Sequence, residues 1–121
     1  MPNKKILIVD DDEELHTLYG LYLQGESYQI LTAHNGEEAL GLLAKEKPAV
    51  IVLDMIMPVM GGEGFLSELA HRGLMQDVPV IIASVNDKIP QKFLDMKNVY
   101  TFLKKPFSMD ILISKIRDAI R

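Results

Sequence analysis

Five short, mostly apolar stretches alternate with amphipathic segments along the chain, and this alternation limits the possible folds more than any other feature. The apolar stretches cover residues 6–9, 28–33, 50–53, 78–83 and 99–103. Short strands that are apolar on both faces must be covered on both sides, which is typical of a parallel sheet between two layers of helices. With right-handed crossovers, the pattern predicts a doubly wound α/β fold with five parallel strands and five helices.

The segments between the apolar stretches carry helix signals. Asp12, Asn35 and Ser108 each stand just before an amphipathic segment and are predicted N-caps. The segment between residues 87 and 96 is weaker, because it contains Pro90 and ends in a polar run. Proline is tolerated only near the first turn of a helix, so we expect the fourth helix to be short or shifted.

Composition narrows the class of protein. The 121 residues, 48% of them apolar and 25% charged, fit one globular domain that spans residues 1–121. The net charge of −4 argues against binding nucleic acid through a broad basic surface. No run approaches the roughly 20 apolar residues of a membrane span, and the first apolar run is too short for a signal peptide. We therefore expect a cytoplasmic protein without membrane or nucleic-acid contacts.

Polar residues follow four of the five predicted strands. The first strand is followed by Asp10-Asp11-Asp12, the third by Asp54, the fourth by Ser84 and the fifth by Lys104-Lys105. Ligands of open parallel sheets bind at the carboxyl ends of the strands, near the point where the strand order reverses. These residues are therefore expected to meet at one edge of the sheet.

The chemistry of this set points to phosphoryl transfer. Crowded carboxylates repel one another, and a divalent cation removes the conflict. Oxygen ligands favour Mg²⁺, with Mn²⁺ as a possible substitute. In this reading Asp54 is the nucleophile that forms an acyl phosphate, Asp10 and Asp11 hold the metal, and Lys105 and the Ser84 hydroxyl contact the phosphoryl oxygens.

Four segments carry a resemblance to a known family: residues 6–12, 52–58, 79–84 and 105–107, read as ILIVDDD, VLDMIMP, PVIIAS and KPF. Together they resemble the response-regulator receiver domains of two-component signalling, and the chemotaxis regulators among them. The resemblance implies a flavodoxin-like sheet with strand order 2-1-3-4-5. It also implies that Asp54 receives its phosphoryl group from a histidine kinase or phosphotransfer protein and signals to a downstream protein or output domain. Such a domain is no enzyme toward a separate substrate, although it catalyses its own phosphorylation and dephosphorylation.

The same resemblance assigns roles to single residues. It implies that Asp54 and the backbone carbonyl of Ile56 join Asp10 and Asp11 around the metal. It makes Ser84 the switch hydroxyl and Lys105 the partner of the phosphoryl oxygens. It also implies that Phe102 is the aromatic residue that turns inward on activation and that the Lys105-Pro106 peptide bond is cis.

Two residues expected at the mouth of the site are apolar. Ile56 lies two residues after Asp54, and Val85 directly follows Ser84. The hypothesis is that these apolar side chains hinder the attacking water and slow the loss of the phosphoryl group.

Several alternatives stay open at this stage. The main one is a pseudo-receiver that binds partners without ever carrying phosphate. A metal-dependent phosphatase is disfavoured because Ile56 stands where such enzymes carry a second acid, and a flavin-binding protein because no phosphate-cradling loop follows the first strand. Ile111 and Ile113 lie beside the main buried stripe of the last helix and raise the possibility of a homodimer through that helix. The three histidines, His16, His34 and His71, are predicted to be surface residues rather than a zinc site.

Overall fold

Five strands and five helices alternate in the computed structural model, which describes residues 4–120. All strand pairs are parallel, and the strand order is β2-β1-β3-β4-β5. The predicted doubly wound, flavodoxin-like fold is therefore confirmed. The elements are β1 Lys4–Val9, α1 Glu13–Gln24, β2 Tyr28–Ala33, α2 Gly36–Leu43, β3 Val50–Leu53, α3 Gly62–Arg72, β4 Val80–Ser84, α4 Gln91–Leu94, β5 Val99–Lys104 and α5 Met109–Ile120.

The core has two layers because successive side chains of each strand point to opposite faces of the sheet. Leu7 and Val9 of β1 pack with residues of α2, α3 and α4. Ile6 and Ile8 pack with residues of α1 and α5. Residues 6–9 of β1 are fully buried on both faces of the sheet, which explains why this part of the strand has no polar side chain.

All three predicted N-caps are confirmed. The Asp12 carboxylate accepts hydrogen bonds from the two backbone N–H groups of residues 14 and 15, at 2.9 and 3.3 Å. The Asn35 side chain accepts one from the N–H of residue 38 at 2.8 Å, and the Ser108 hydroxyl accepts one from the N–H of residue 111 at 3.2 Å. The caps fix the points at which α1, α2 and α5 leave the carboxyl edge of the sheet.

The fourth helix is a single turn, as Pro90 and the polar residues around it predict. It covers only Gln91–Leu94, and Phe93 is the residue that anchors it in the core. Strand β4 starts at Val80, two residues later than expected. Pro79 has no backbone N–H to donate to a neighbouring strand, which accounts for the later start. None of the helices within residues 4–120 is long and apolar enough to cross a membrane.

The loop between β3 and α3 is closed by a tight approach at Gly62. Its N–H donates to the Met55 carbonyl at 3.1 Å, and a Cβ atom at Gly62 would lie 2.8 Å from the Asp54 carbonyl oxygen. We therefore expect Gly62→Ala to lower the free energy of unfolding by about 1–3 kcal/mol through overpacking. Gly41 in α2 has no atom within 4 Å of the same position, so Gly41→Ala should instead stabilise by up to about 1 kcal/mol. Urea unfolding of both variants checks this, and a similar effect of the two substitutions would contradict it.

Candidate functional site

The sheet brings Asp10 and Asp54 side by side. The N–H of Asp54 donates to the carbonyl of Val9 at 2.9 Å, so the pairing of β1 with β3 continues one residue beyond the strands. Carboxylate oxygens of Asp10, Asp11 and Asp54 lie within 4.8 Å of one another. Asp10 and Asp54 are buried, with 3% and 7% of their surface exposed, whereas Asp11 faces solvent. Two buried carboxylates and one exposed carboxylate thus share one small volume.

Lys105 supplies the positive charge in this volume. Its Nζ lies 2.7 Å from an Asp10 carboxylate oxygen and 3.5 Å from an Asp54 carboxylate oxygen, and only 15% of its side chain is exposed. The neighbouring Lys104 points away, with 59% of its side chain exposed, and pairs with Asp87 at 3.3 Å. The two adjacent lysines therefore have different environments, and only Lys105 reaches the acidic residues.

The charges in the cluster are not balanced by this one lysine. Burial is the main cause of the raised pKa of Asp54; the Asp10 carboxylate raises it further, while Lys105 lowers it. Tyr19 on α1 responds to the same charge, because burial and then Asp10 and Asp54 raise the pKa of its hydroxyl. A divalent cation would offset the excess negative charge. The donor set consists of carboxylate oxygens, which fits Mg²⁺.

The predicted switch residues lie on β4 and β5 or directly after β5. Ser84 ends β4, is fully buried, and its hydroxyl oxygen accepts a hydrogen bond from the N–H of Asn86 at 3.3 Å. Phe102 is half-buried on β5 and packs against the core layer under α2 and α3. The Lys105-Pro106 peptide bond is cis. The structure thus brings Ser84 and Lys105 to the same edge, since the N–H of Lys105 donates to the Ser84 carbonyl at 2.9 Å.

The two apolar residues expected at the mouth of the site are exposed. Ile56 has 53% of its surface exposed and Val85 has 60%. The N–H of Ile56 donates to an Asp54 carboxylate oxygen at 3.3 Å, so the backbone of Ile56 is bound to the acid while its side chain faces solvent. The role of Ile56 at the entrance of the site stays a prediction.

The surface position predicted for His16 is wrong. Only 8% of His16 is exposed, and its Nε2 lies 2.6 Å from the carbonyl oxygen of Asp10. Its spacing from Tyr19 and Leu23, three and seven residues on, places it on the buried face of α1. That spacing was the sequence signal that could have revealed its burial. His34 is half-buried and His71 is exposed.

Comparison with known proteins places this geometry in a family. Residues 6–117 match the model of the response regulator receiver domain. The alkaline phosphatase synthesis transcriptional regulatory protein PhoP of Bacillus subtilis is 34% identical over 120 residues, which cover 98% of this chain and 49% of PhoP. The response regulator MprA of Mycobacterium tuberculosis is 30% identical over 97% of this chain and 50% of its own length. The chain thus spans about half the length of these curated relatives.

Solved structures of receiver domains are also similar to this chain. The receiver domain of the Francisella response regulator 1452 is 30% identical, with a TM-score of 0.86 over 98% of this chain and 97% of that one. The response regulator TrrA from Thermotoga maritima, solved in complex with Mg²⁺ and BeF, is 29% identical, with a TM-score of 0.81 over 96% of this chain and 98% of that one. A CheY-like receiver domain protein from Methanospirillum hungatei, 24% identical, has the same fold, with a TM-score of 0.88 over 98% of this chain and 94% of that one. The chain therefore belongs to the response regulator receiver domain family of two-component signalling.

Proposed function

We propose that this receiver domain accepts a phosphoryl group on Asp54 in a magnesium-dependent reaction and thereby changes its interaction surface. The observation that carries the proposal is the contact set of Asp54: two neighbouring carboxylates within 4.8 Å and the Lys105 ammonium at 3.5 Å. An isolated aspartate at a strand end would need neither. A proposal of this kind is also consistent with the Mg²⁺ and BeF bound to the Thermotoga relative.

The residues divide the chemistry between them. Asp10, Asp11, Asp54 and the carbonyl of Ile56 would hold Mg²⁺, or Mn²⁺ in its place, and the bound cation would neutralise carboxylate and phosphoryl oxygens. A carboxylate oxygen of Asp54 donates an electron pair to phosphorus, and the bond from phosphorus to the donor atom breaks with its electrons leaving on the donor. Lys105 would stabilise negative charge on the transferring group.

The donor would be a histidine kinase or a phosphotransfer protein, and the recipient of the signal a downstream protein or output domain. The added phosphoryl group carries about −1.5 to −2 charges. It would attract the Ser84 hydroxyl, and the movement of Ser84 would leave room for Phe102 to turn inward. A homodimer through the last helix stays a prediction; Ile111 is 47% exposed there, whereas Ile113 is buried.

The test is phosphoryl uptake measured by intact mass. The protein is incubated with acetyl phosphate and Mg²⁺, with and without EDTA, and the product is treated with hydroxylamine, which cleaves acyl phosphates. We expect a gain of one phosphoryl group that EDTA prevents and hydroxylamine removes. A histidine-phosphorylated donor protein is tested in parallel, because the apolar Ile56 and Val85 at the entrance can exclude a small donor. No uptake from either donor would support the alternative, a pseudo-receiver that acts without phosphate.

Ile56→Asn should shorten the life of the phosphorylated state. An amide at this exposed position can hydrogen-bond the attacking water, and one such bond is worth about 0.5–1.5 kcal/mol, which corresponds to a rate increase between about twofold and tenfold. The measurement is the decay of phosphorylated protein after the donor is removed. Ile111→Asn is the matched control, since Ile111 is similarly exposed but lies on α5. An unchanged half-life for Ile56→Asn would refute the idea that the apolar entrance slows hydrolysis.

A further inference from the structure

His16 is a buried polar side chain beside the acidic cluster that the proposed function does not use. Its Nε2 lies 2.6 Å from the carbonyl oxygen of Asp10. A carbonyl oxygen can only accept, so the ring must donate through a hydrogen on Nε2. The other ring nitrogen, Nδ1, is buried and has no hydrogen-bond partner within residues 4–120. The bond to Asp10 is therefore the polar contact that orients this ring.

This contact lies on the peptide that leads into Asp11. The carboxylates of Asp10 and Asp54 are each held by a backbone N–H and by Lys105. The carboxylate of Asp11 is exposed and receives no hydrogen bond from the part of the chain that the structure describes. Its direction depends on the plane of the Asp10–Asp11 peptide, and the carbonyl oxygen of that peptide is the atom that His16 binds.

The His16 ring is itself held in place by His34. The two ring centroids are 5.0 Å apart, with the planes tilted by 59°. His34 is fixed by two glutamates. The Glu38 carboxylate accepts a hydrogen bond from the His34 backbone N–H at 3.1 Å and lies 3.1 Å from the His34 Nδ1. Glu13 on α1 contacts the other ring nitrogen of His34. The imidazole of His16 therefore lies between the sheet edge and a second, anchored ring, which leaves it little freedom to turn away from Asp10.

We propose that His16 is a positioning residue for the metal site: by holding the Asp10–Asp11 peptide, it sets the direction in which the Asp11 carboxylate meets a Mg²⁺ ion. The inference rests on the proposed magnesium site. Partners that orient metal ligands without touching the ion commonly change metal affinity by about 10–100-fold when they are removed. A bond to the backbone of a ligand residue belongs to the same class of contact.

The test compares His16→Leu with His16→Gln. Glutamine places an amide N–H close to the position of Nε2, whereas leucine fills the space without a donor. Mg²⁺ affinity is measured by calorimetry without any phosphoryl donor, and urea unfolding is recorded for each variant. We expect His16→Leu to bind Mg²⁺ about tenfold more weakly, His16→Gln to bind close to the wild type, and His71→Leu, at an exposed histidine of α3, to have no effect.

The outcomes separate a positioning role from a merely structural one. The inference would be overturned if the Mg²⁺ affinity of the variants varied with their free energy of unfolding rather than with the presence of a hydrogen-bond donor at residue 16. Equal Mg²⁺ affinity of wild type and His16→Leu would overturn the role of His16 but not the magnesium site. Failure of the wild type to bind Mg²⁺ would overturn both. If His16→Leu does not fold, ¹⁵N NMR of the wild-type imidazole decides: hydrogen on Nε2 supports the proposal, and hydrogen on Nδ1 alone overturns it.

Discussion

Asp54→Asn is expected to abolish phosphoryl uptake and, in metal-free protein, to raise stability at neutral pH. The first effect follows because an amide oxygen is a far poorer nucleophile than a carboxylate and gives no stable acyl phosphate. Intact mass after incubation with donor and Mg²⁺ checks it, with Asp77→Asn as the control. Asp77 is an exposed aspartate that pairs with Lys47, so its substitution should leave uptake unchanged. Uptake that persists in Asp54→Asn would place the acceptor elsewhere.

The second effect follows from the pKa of Asp54. Burial, the largest cause, and the Asp10 carboxylate raise the pKa of Asp54 above its ordinary value of 3.8 in spite of Lys105. Between 3.8 and the raised folded-state value, the folded protein binds more protons at this site than the unfolded chain. Stability therefore falls as the pH rises through this window, and above it the folded state retains the full cost of the ionised carboxylate. Asparagine never ionises and avoids this cost.

In EDTA at pH 7, we expect Asp54→Asn to exceed the wild type by about 1 kcal/mol in the free energy of unfolding. The difference should shrink as the pH falls through the raised folded-state pKa, and it should disappear only well below 3.8, where the wild-type carboxyl is neutral in both states. Asp77→Asn should change stability in the opposite direction at neutral pH, because its hydrogen bond with Lys47 lowers the pKa of Asp77. A wild type that is more stable than Asp54→Asn in EDTA at pH 7 would contradict the proposed imbalance of charge.

Added Mg²⁺ should reverse the order of the two proteins. A ligand that binds only the folded state stabilises it in proportion to RT ln(1 + [L]/Kd). The wild type gains this term fully, whereas Asp54→Asn has lost one of its metal-binding carboxylates and gains less. The same unfolding experiment with and without Mg²⁺ therefore tests whether the cluster of aspartates binds a cation and lowers the stability of the protein when no cation is bound.

The sequence predicts the local features of this site well, because the responsible signals are short. The caps at Asp12, Asn35 and Ser108 depend on side chains that bond backbone groups two or three residues away. The meeting of Asp10 with Asp54 depends only on strand order, since both follow strands that are neighbours in the sheet. The shortened α4 follows from Pro90 and the polar residues beside it.

Contacts between distant elements were harder to predict. The burial of His16 depends on how α1 packs over the end of β1 and on the His34 ring from the end of β2. Ile113 is buried while Ile111 is exposed, because the buried face of α5 is set by its rotation against the sheet. The spacing of His16 from Tyr19 and Leu23 indicates the face of α1 on which it lies, but no local signal predicts its contacts with the Asp10 carbonyl and the His34 ring.

Lys105→Met should reduce phosphoryl uptake by roughly 10²–10³-fold, the typical effect of removing one preorganised electrostatic contact from a transition state. Within residues 4–120, Lys105 is the cation bonded to Asp10 and Asp54. Lys104→Met is a closely matched control, because it removes the same charge from the adjacent residue, whose ion pair with Asp87 is exposed. Uptake is measured as initial rate at fixed donor and Mg²⁺. Equal losses in the two variants would point to net charge rather than to the position of Lys105.

The same pair of variants separates two roles of Lys105. Removing one partner of a buried ion pair leaves an uncompensated charge. Metal-free Lys105→Met should therefore lose about 3 kcal/mol in the free energy of unfolding at pH 7. Lys104→Met should lose at most about 1 kcal/mol, because its ion pair is exposed. Lower pH should relieve the loss, because without Lys105 the pKa of Asp54 rises further and the carboxyl is neutralised earlier. Mg²⁺ should restore stability, since it also balances the carboxylates. It should not restore the rate of uptake, because the cation does not replace the ammonium group that lies 3.5 Å from the Asp54 carboxylate.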